Sequence, residues 1–286
     1  MDNIGYIIIL NSHLIEKKLS CFNLKKFGKN TIKSLIKLLK KDLIYDNYPN
    51  DFSFINGINI LREYIKIYKK NNWTNEIEYK KTSLFLKKFK NIKKQKVGAY
   101  LLNKEQLKNN YNIDYMNFVR SRHSIQNYQQ LKLKSEDIRE AIETAKYSPS
   151  ASNKQNIKVH YYLNDKMKRN IIDFISRKKI INIKGINVFV ITYDSNGLEK
   201  KGERNQGYFN AGLFSMNLIN AFHSKGIGSC LIQFDSINYE EEKFKKFNKI
   251  PTNQRIAVIL FTGYYNKKFK VTQSSRRNNK DYLHVH

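Results

Sequence analysis

Arg122-His123-Ser124, with Gln126 two residues on, gathers groups suited to an anion. A guanidinium offers paired, charge-assisted N–H bonds to a phosphate, and a neighbouring hydroxyl adds another contact. Arg276-Arg277 supplies two further guanidinium groups near the C-terminus. Between them, Pro149-Ser150-Ala151-Ser152-Asn153 presents hydroxyl and amide groups directly after a helix, although Ser, Pro and Asn also dominate ordinary turns. Gly226-Ile227-Gly228 is not a dinucleotide fingerprint, because it lacks the third glycine and ends a helix instead of opening one. It reads as a helix cap followed by a tight connection to a strand. His123, His160 and His223 lack metal-ligand spacing and read as surface or satisfied core histidines. No Ser-His-Asp order, phosphate loop or carboxylate pair is defensible.

Helices and strands must position these groups. Asp114 to Arg120 reads as a helix running into the Arg-His-Ser cluster. Ser135 is the expected cap of a helix to Tyr147, with Glu136 and Asp137 in its first turn and Ile138, Ala141, Ile142 and Ala145 on one face. Pro149 stops it. Further strands are expected at 158–163, 187–193, 229–233 and 256–263, and helices at 165–177, 208–225 and 239–248. Asn187 to Tyr193 is almost wholly apolar, as in a strand covered on both faces. The alternation gives an α+β or mixed α/β layer.

Residues 1–115 have a different texture. Amphipathic helices are expected at 31–41, 57–70 and 84–89, with another candidate at 101–107, and breaks at Pro49 and at the Asn-rich joints 71–75 and 109–112. Their faces suit packing against a neighbouring domain better than a membrane surface. The apolar start, Met1 to Leu10, lacks a basic leader and a small-residue cleavage site.

The formal charge of +29 invites a nucleic-acid reading, but its distribution argues against one. Residues 1–115 carry 23 Lys and Arg against 10 Asp and Glu, and the remainder carries 30 against 14, so the excess is spread evenly. Aromatic residues and arginines are not concentrated beside the basic runs, which argues for solvated lysine and no nucleic-acid partner. Two cysteines, Cys21 and Cys230, make neither a disulfide framework nor a metal site, and a reducing cytoplasm is expected. No stretch approaches the length of a membrane span.

Taken in order, the blocks resemble the FMN-dependent nitroreductase-like family. They are Arg-His-Ser, a helix, Tyr-Ser-Pro-Ser-Ala-Ser-Asn-Lys-Gln, then Asn210 through Gly226-Ile-Gly228 to Cys230. Ile250-Pro251 before Thr262-Gly263-Tyr264 and finally Ser275-Arg276-Arg277 complete the series. The resemblance covers about 116–286. It implies an α+β fold, a nitroreductase-like central mixed sheet flanked by helices, preceded by a mainly helical N-terminal region, 1–115. It implies an oxidoreductase using FMN, with NAD(P)H as electron donor and an electron-poor small molecule (nitro, quinone or similar) as acceptor. Such proteins build the flavin site across a homodimer interface, for which the helix at 208–225, with Ala211 and Gly212, is the candidate. Carried across, Arg122, His123 and Ser124 hold the FMN phosphate and ribityl chain, with Gln126 beside them. Pro149, Ser150 and Asn153 contact the isoalloxazine side, Gly226 and Gly228 lie near the ring, and Arg276 or Arg277 closes on the phosphate. No side chain is assigned as catalytic, since the flavin does the chemistry. Three departures stand out: Gln126 where a basic residue is common, Asn156-Ile157 in place of Pro-Trp, and residues 1–115, which have no counterpart in the minimal family. The first two motivate an alternative, a flavin-fold protein without redox turnover serving as a binding scaffold. The extended N-terminal form resembles proteins associated with bacterial polysaccharide gene clusters.

Overall fold

The apolar start continues into a long helix. In the computed structural model, which describes residues 3–21, 24–42, 51–100, 114–175, 185–269, 271–272, 276 and 278–286, α1 spans Asn3–Leu19. Its first half is apolar nearly all round, whereas His13, Glu16, Lys17 and Lys18 make the second half polar. Ile8 and Ile15 are buried with side chains from α2 (Lys29–Asp42), α3 (Phe52–Lys70) and α4 (Ile77–Leu86). The expected helices at 31–41, 57–70 and 84–89 correspond to α2, α3 and the end of α4 with the 3-10 turn Lys87–Phe89. Asp51 caps α3 by accepting from the Ser53 and Phe54 amides. The joint at 71–75 is a turn, with Asn72 in the left-handed region at φ 59°. The candidate helix at 101–107, and the breaks at Pro49 and 109–112, lie outside the described residues.

Gly57 sets how closely these helices approach. A Cβ built there would lie 3.0 Å from Leu39 Cδ2 and 3.1 Å from Ile8 Cγ2, so α3 meets both α1 and α2 at the one residue without a side chain. Arg62 and Asn59 of α3 then tie down the segment after α4. The guanidinium donates to the Phe89 and Ile92 carbonyls at 2.7 and 3.1 Å, and the amide to Lys93 O at 2.9 Å.

The chain divides into two units. The first comprises Met1–Ile113 together with Pro149–Ile157 and Asp194–Asn210, and the second holds Asp114–Ser148, Lys158–Tyr193 and Ala211–His286.

The rest is built on a four-stranded sheet in the order β1-β2-β4-β3: β1 Ile157–Tyr162, β2 Asn187–Asp194, β3 Ile227–Ile232 and β4 Gln254–Tyr264. β3 and β4 are antiparallel, with Gly228 opposite Gly263 and Cys230 opposite Phe261. Every residue of β2 is buried, which accounts for its unbroken apolar run. α5 (Tyr115–Ser121), α6 (Ser135–Ala145), α7 (Asp165–Phe174), α8 (Gln206–Ser224) and α9 (Asn238–Phe247) accompany the strands, giving an α+β fold. Asp114 caps α5 through the Asn117 amide at 3.1 Å. Ser135 does not cap α6. Lys134 holds the extended cap position and Ser135 is already the first helical residue, so the favourable first turn rests on Glu136 and Asp137. α7 is described to Phe174, and the expected end at 177 lies outside the described residues.

Candidate functional site

Arg122 terminates α5 in an extended conformation. The next residues run beside β3: the Ile125 amide donates to Ser229 O at 2.9 Å, and Ser124 forms a parallel bridge with Ser229. Gln126 lies at the same edge, its amide 3.4 Å from Cys230 Sγ. The approach depends on Gly228, where a Cβ would stand 3.0 Å from the Tyr265 ring and 3.2 Å from Ile125 Cβ. Gly226 turns the chain at φ +69°, its amide donating to His223 O at 3.0 Å, and the space around its Cα is open. The second unit therefore brings Arg122, His123, Ser124 and Gln126 together with Gly226 and Gly228.

This cluster is electropositive and partly dry. Arg122 Nε is buried without a hydrogen-bond partner, an orphaned donor of the kind an anion satisfies. His123 Nδ1 donates to Ser121 O at 2.9 Å, which leaves Nε2 as its other polar atom. Coupled to them electrostatically is His223 of α8, read in the sequence as a surface or satisfied core histidine, and both its ring nitrogens are paired. Its Nε2 is 2.8 Å from Ser121 Oγ and its Nδ1 is 2.9 Å from Tyr265 Oη. Ser121 Oγ already gives its single proton to Phe118 O, so the consistent tautomer has Nε2–H donating to Ser121 and Tyr265 O–H donating to Nδ1. Burial first, then the charges of Arg122 and His123, hold the His223 pKa below its ordinary value, which keeps the ring neutral. Burial raises the Tyr265 pKa while Arg122 opposes it. A groove of about 680 Å³ next to this edge is lined by Ser124, Gln126, Lys268 and Phe269 among others.

The other predicted residues fall elsewhere. Pro149, Ser150 and Asn153 belong to the first unit. Ser150 Oγ accepts from the Gln155 amide at 3.0 Å and Ser150 O from the Asn153 amide at 2.9 Å. Ser152, Asn153 and Gln155 all adopt positive φ, at 53°, 53° and 51°. Three non-glycine residues in the left-handed region cost energy that the surroundings must offset. The support is a buried polar network. Asn156, fully buried, donates to Asp194 O at 3.1 Å, accepts from Asn210 Nδ2 at 3.1 Å, and takes the Asp194 amide on its own carbonyl at 2.8 Å. Gly197 packs so tightly on Asn156 that a Cβ would come within 2.8 Å of it. Lys154, also buried, pairs with Glu203 at 3.1 Å and Glu199 at 3.7 Å. α1 packs against the same loop, and its Tyr6 hydroxyl donates to Asp194 at 3.2 Å. The Asn that stands where the resemblance called for Pro is thus the hub of the loop. Arg276 is exposed, and Arg277 lies outside the described residues. Among the described residues there is no cluster of His, Cys, Asp and Glu able to hold a metal, and no helix long and apolar enough to cross a membrane.

Residues 119–184 match the family model described as Nitroreductase family. An FMN-dependent nitroreductase from Clostridium difficile R20291 superposes with a TM-score of 0.50 at 18% identity, over 59% of this chain and 98% of its own. The region is nitroreductase-like. A Streptococcus pneumoniae TIGR4 nitroreductase family protein gives 0.51 at 18% identity, covering 60% of this chain and 100% of its own. A Parabacteroides distasonis protein, provisionally named NADH dehydrogenase/NAD(P)H nitroreductase, gives 0.52 at 15%, covering 61% and 98%. At these identities the likeness establishes the nitroreductase-like fold. Among curated proteins, none matches the sequence.

Proposed function

We propose that residues 116–286 carry an FMN-binding oxidoreductase that takes hydride from NAD(P)H and delivers it to an electron-poor small molecule, preceded by the mainly helical region 1–115. The observation that carries this reading is the alignment of Arg122-His123-Ser124 along β3, beside Gly226 and Gly228, with Arg122 Nε buried and unpaired. The solved relatives cover about three-fifths of this chain and 98–100% of their own length. Arg122, His123 and Ser124 would hold the phosphate, with Gln126 contributing an amide in place of a charge, and Arg276 or Arg277 would add a second cation. Pro149, Ser150 and Asn153 would serve the isoalloxazine side. FMN, when bound, supplies hydride acceptance and return, so the protein contributes binding, orientation and electrostatics.

Homodimerisation belongs to the same proposal. α8 exposes Phe209 and Met216 and leaves open space over Gly212, whereas Ala211 is buried within the chain. Free Cys21 and Cys230 accord with a reducing, cytoplasmic setting. The test is the absorbance spectrum of purified protein with and without NADPH. Bound flavin that bleaches with NADPH and recovers with a quinone or nitro acceptor is expected, and Arg122→Ala should weaken FMN binding by about tenfold or more. Protein that stays colourless in excess FMN would sink the proposal.

A second reading rests on Asn156. Because the loop is organised around this residue, flavin-fold binding without turnover is the alternative, and the protein would then serve as a scaffold, with polysaccharide assembly as one setting. FMN binding with no NAD(P)H oxidation across an acceptor panel would select it.

A further inference from the structure

Between α2 and α4 the first unit carries a groove of about 420 Å³ that the flavin reading does not use. Its apolar lining is Ile36, Leu84 and Phe85; Phe85 is buried, while Leu84, on α4 itself, is 65% exposed. Lysines line both sides. Lys33, Lys37 and Lys40 stand on α2 at i, i+4 and i+7, while Lys81 and Lys88 stand on α4 and its following turn. Lys33 is engaged by the nearly buried Glu78 at 3.5 Å. The other four have no carboxylate partner among the described residues. Seven helical residues advance about 10 Å, so each row is roughly two turns long.

We propose that this groove docks an acidic amphipathic helix of a partner protein. The two-sided arrangement decides the class of occupant. A fatty-acid anion is charged at one end only, and would leave the lysines along the rest of the groove facing one another. A helix with an apolar ridge and carboxylates on both flanks lays the ridge along Ile36, Leu84 and Phe85 and meets a lysine row on each side. Lysine is abundant throughout the chain, so the rows alone single out nothing. The apolar seam between them does, with Leu84 exposed, Ile36 half-buried and Phe85 at its base. Charge attraction at such a surface is screened over about 8 Å at physiological salt, so docking weakens as salt rises while the apolar contribution persists.

The experiment uses the full-length protein and two fluorescein-labelled designed peptides of one composition. One places Leu along a single helical face with Glu on both flanks, and the other scrambles the same residues around the helix. Fluorescence anisotropy should show the amphipathic peptide binding about tenfold or more tightly than the scrambled one. Leu84→Glu and the pair Lys37→Glu with Lys81→Glu should each remove that preference. Leu163→Glu, equally exposed in the other unit, should leave it intact. A peptide carrying Lys in place of Glu should bind the charge-reversed pair, a result that also requires the variant to be folded. Equal binding of the two peptides, or indifference to Leu84→Glu, overturns the proposal. So does binding to phosphatidylserine vesicles that Leu84→Glu abolishes while the peptides remain indistinguishable, since the face would then be a membrane surface.

Discussion

His223 is held on both ring nitrogens, so its contacts depend on which of them carries a proton. Its pKa is depressed in the fold, so the neutral form is favoured there. Its stabilising contribution is complete above the ordinary His value of about 6.5 and is lost as pH falls through the lower folded value. Protonation removes the acceptor that Tyr265 O–H uses and places a cation beside Arg122. The melting temperature of the full-length protein should therefore fall as pH drops below about 6.5, and His223→Gln should flatten that limb. An acid limb identical in the variant would show that other groups set it. Arg122-His123-Ser124 was legible in the sequence because three anion-suited groups are contiguous. His223 was not, because its partners are 102 and 42 residues away and no spacing rule joins them.

Elements report through the residues where they touch. Gly57→Val should cost about 1–3 kcal/mol in urea denaturation, because its methyls must displace Leu39 and Ile8 from van der Waals contact. Gly57→Ala is the sharper probe, since the helix propensity gained, about 1 kcal/mol, opposes the crowding. Asn156→Ala should cost about 1–3 kcal/mol by leaving Asp194 O and Asn210 Nδ2 without their partner. If the proposed dimer forms through the open face of α8, Gly212→Arg should lower the sedimentation coefficient from that of a dimer to that of a monomer; an unchanged coefficient would place the interface elsewhere. The sheet strands and α8 were legible to within a few residues, because burial imposes runs and periodicities that composition preserves. The extent of α1 was not, since only its apolar front, Met1 to Leu10, stood out. Asn156 was visible as a departure from a resemblance, yet its role depends on Asp194 and Asn210, which only the fold brings near.

At the scale of the whole molecule, two segments from the second half of the sequence, Pro149–Ile157 and Asp194–Asn210, complete the first unit. Residues 114–286 produced alone would lack α1 and Tyr6, and Asp194 would lose a buried hydroxyl partner. That truncated protein should be cut by trypsin within 194–210, at Lys200, Lys201 or Arg204, faster than the full-length chain is. Equal cleavage rates would show that α1 gives these segments no protection. The helical texture of 1–115 was readable, but its completion by distant segments was not, because no local pattern marks a loop as belonging to a neighbour. The Tyr6–Asp194 contact spans 188 residues, and at about 5–20 residues per second a ribosome needs roughly 10–40 s to cover that interval. During that time α1 has emerged but its polar partner has not been made. The N-terminal helices are thus born first and finished late, and the protein's assembly is timed by its own translation.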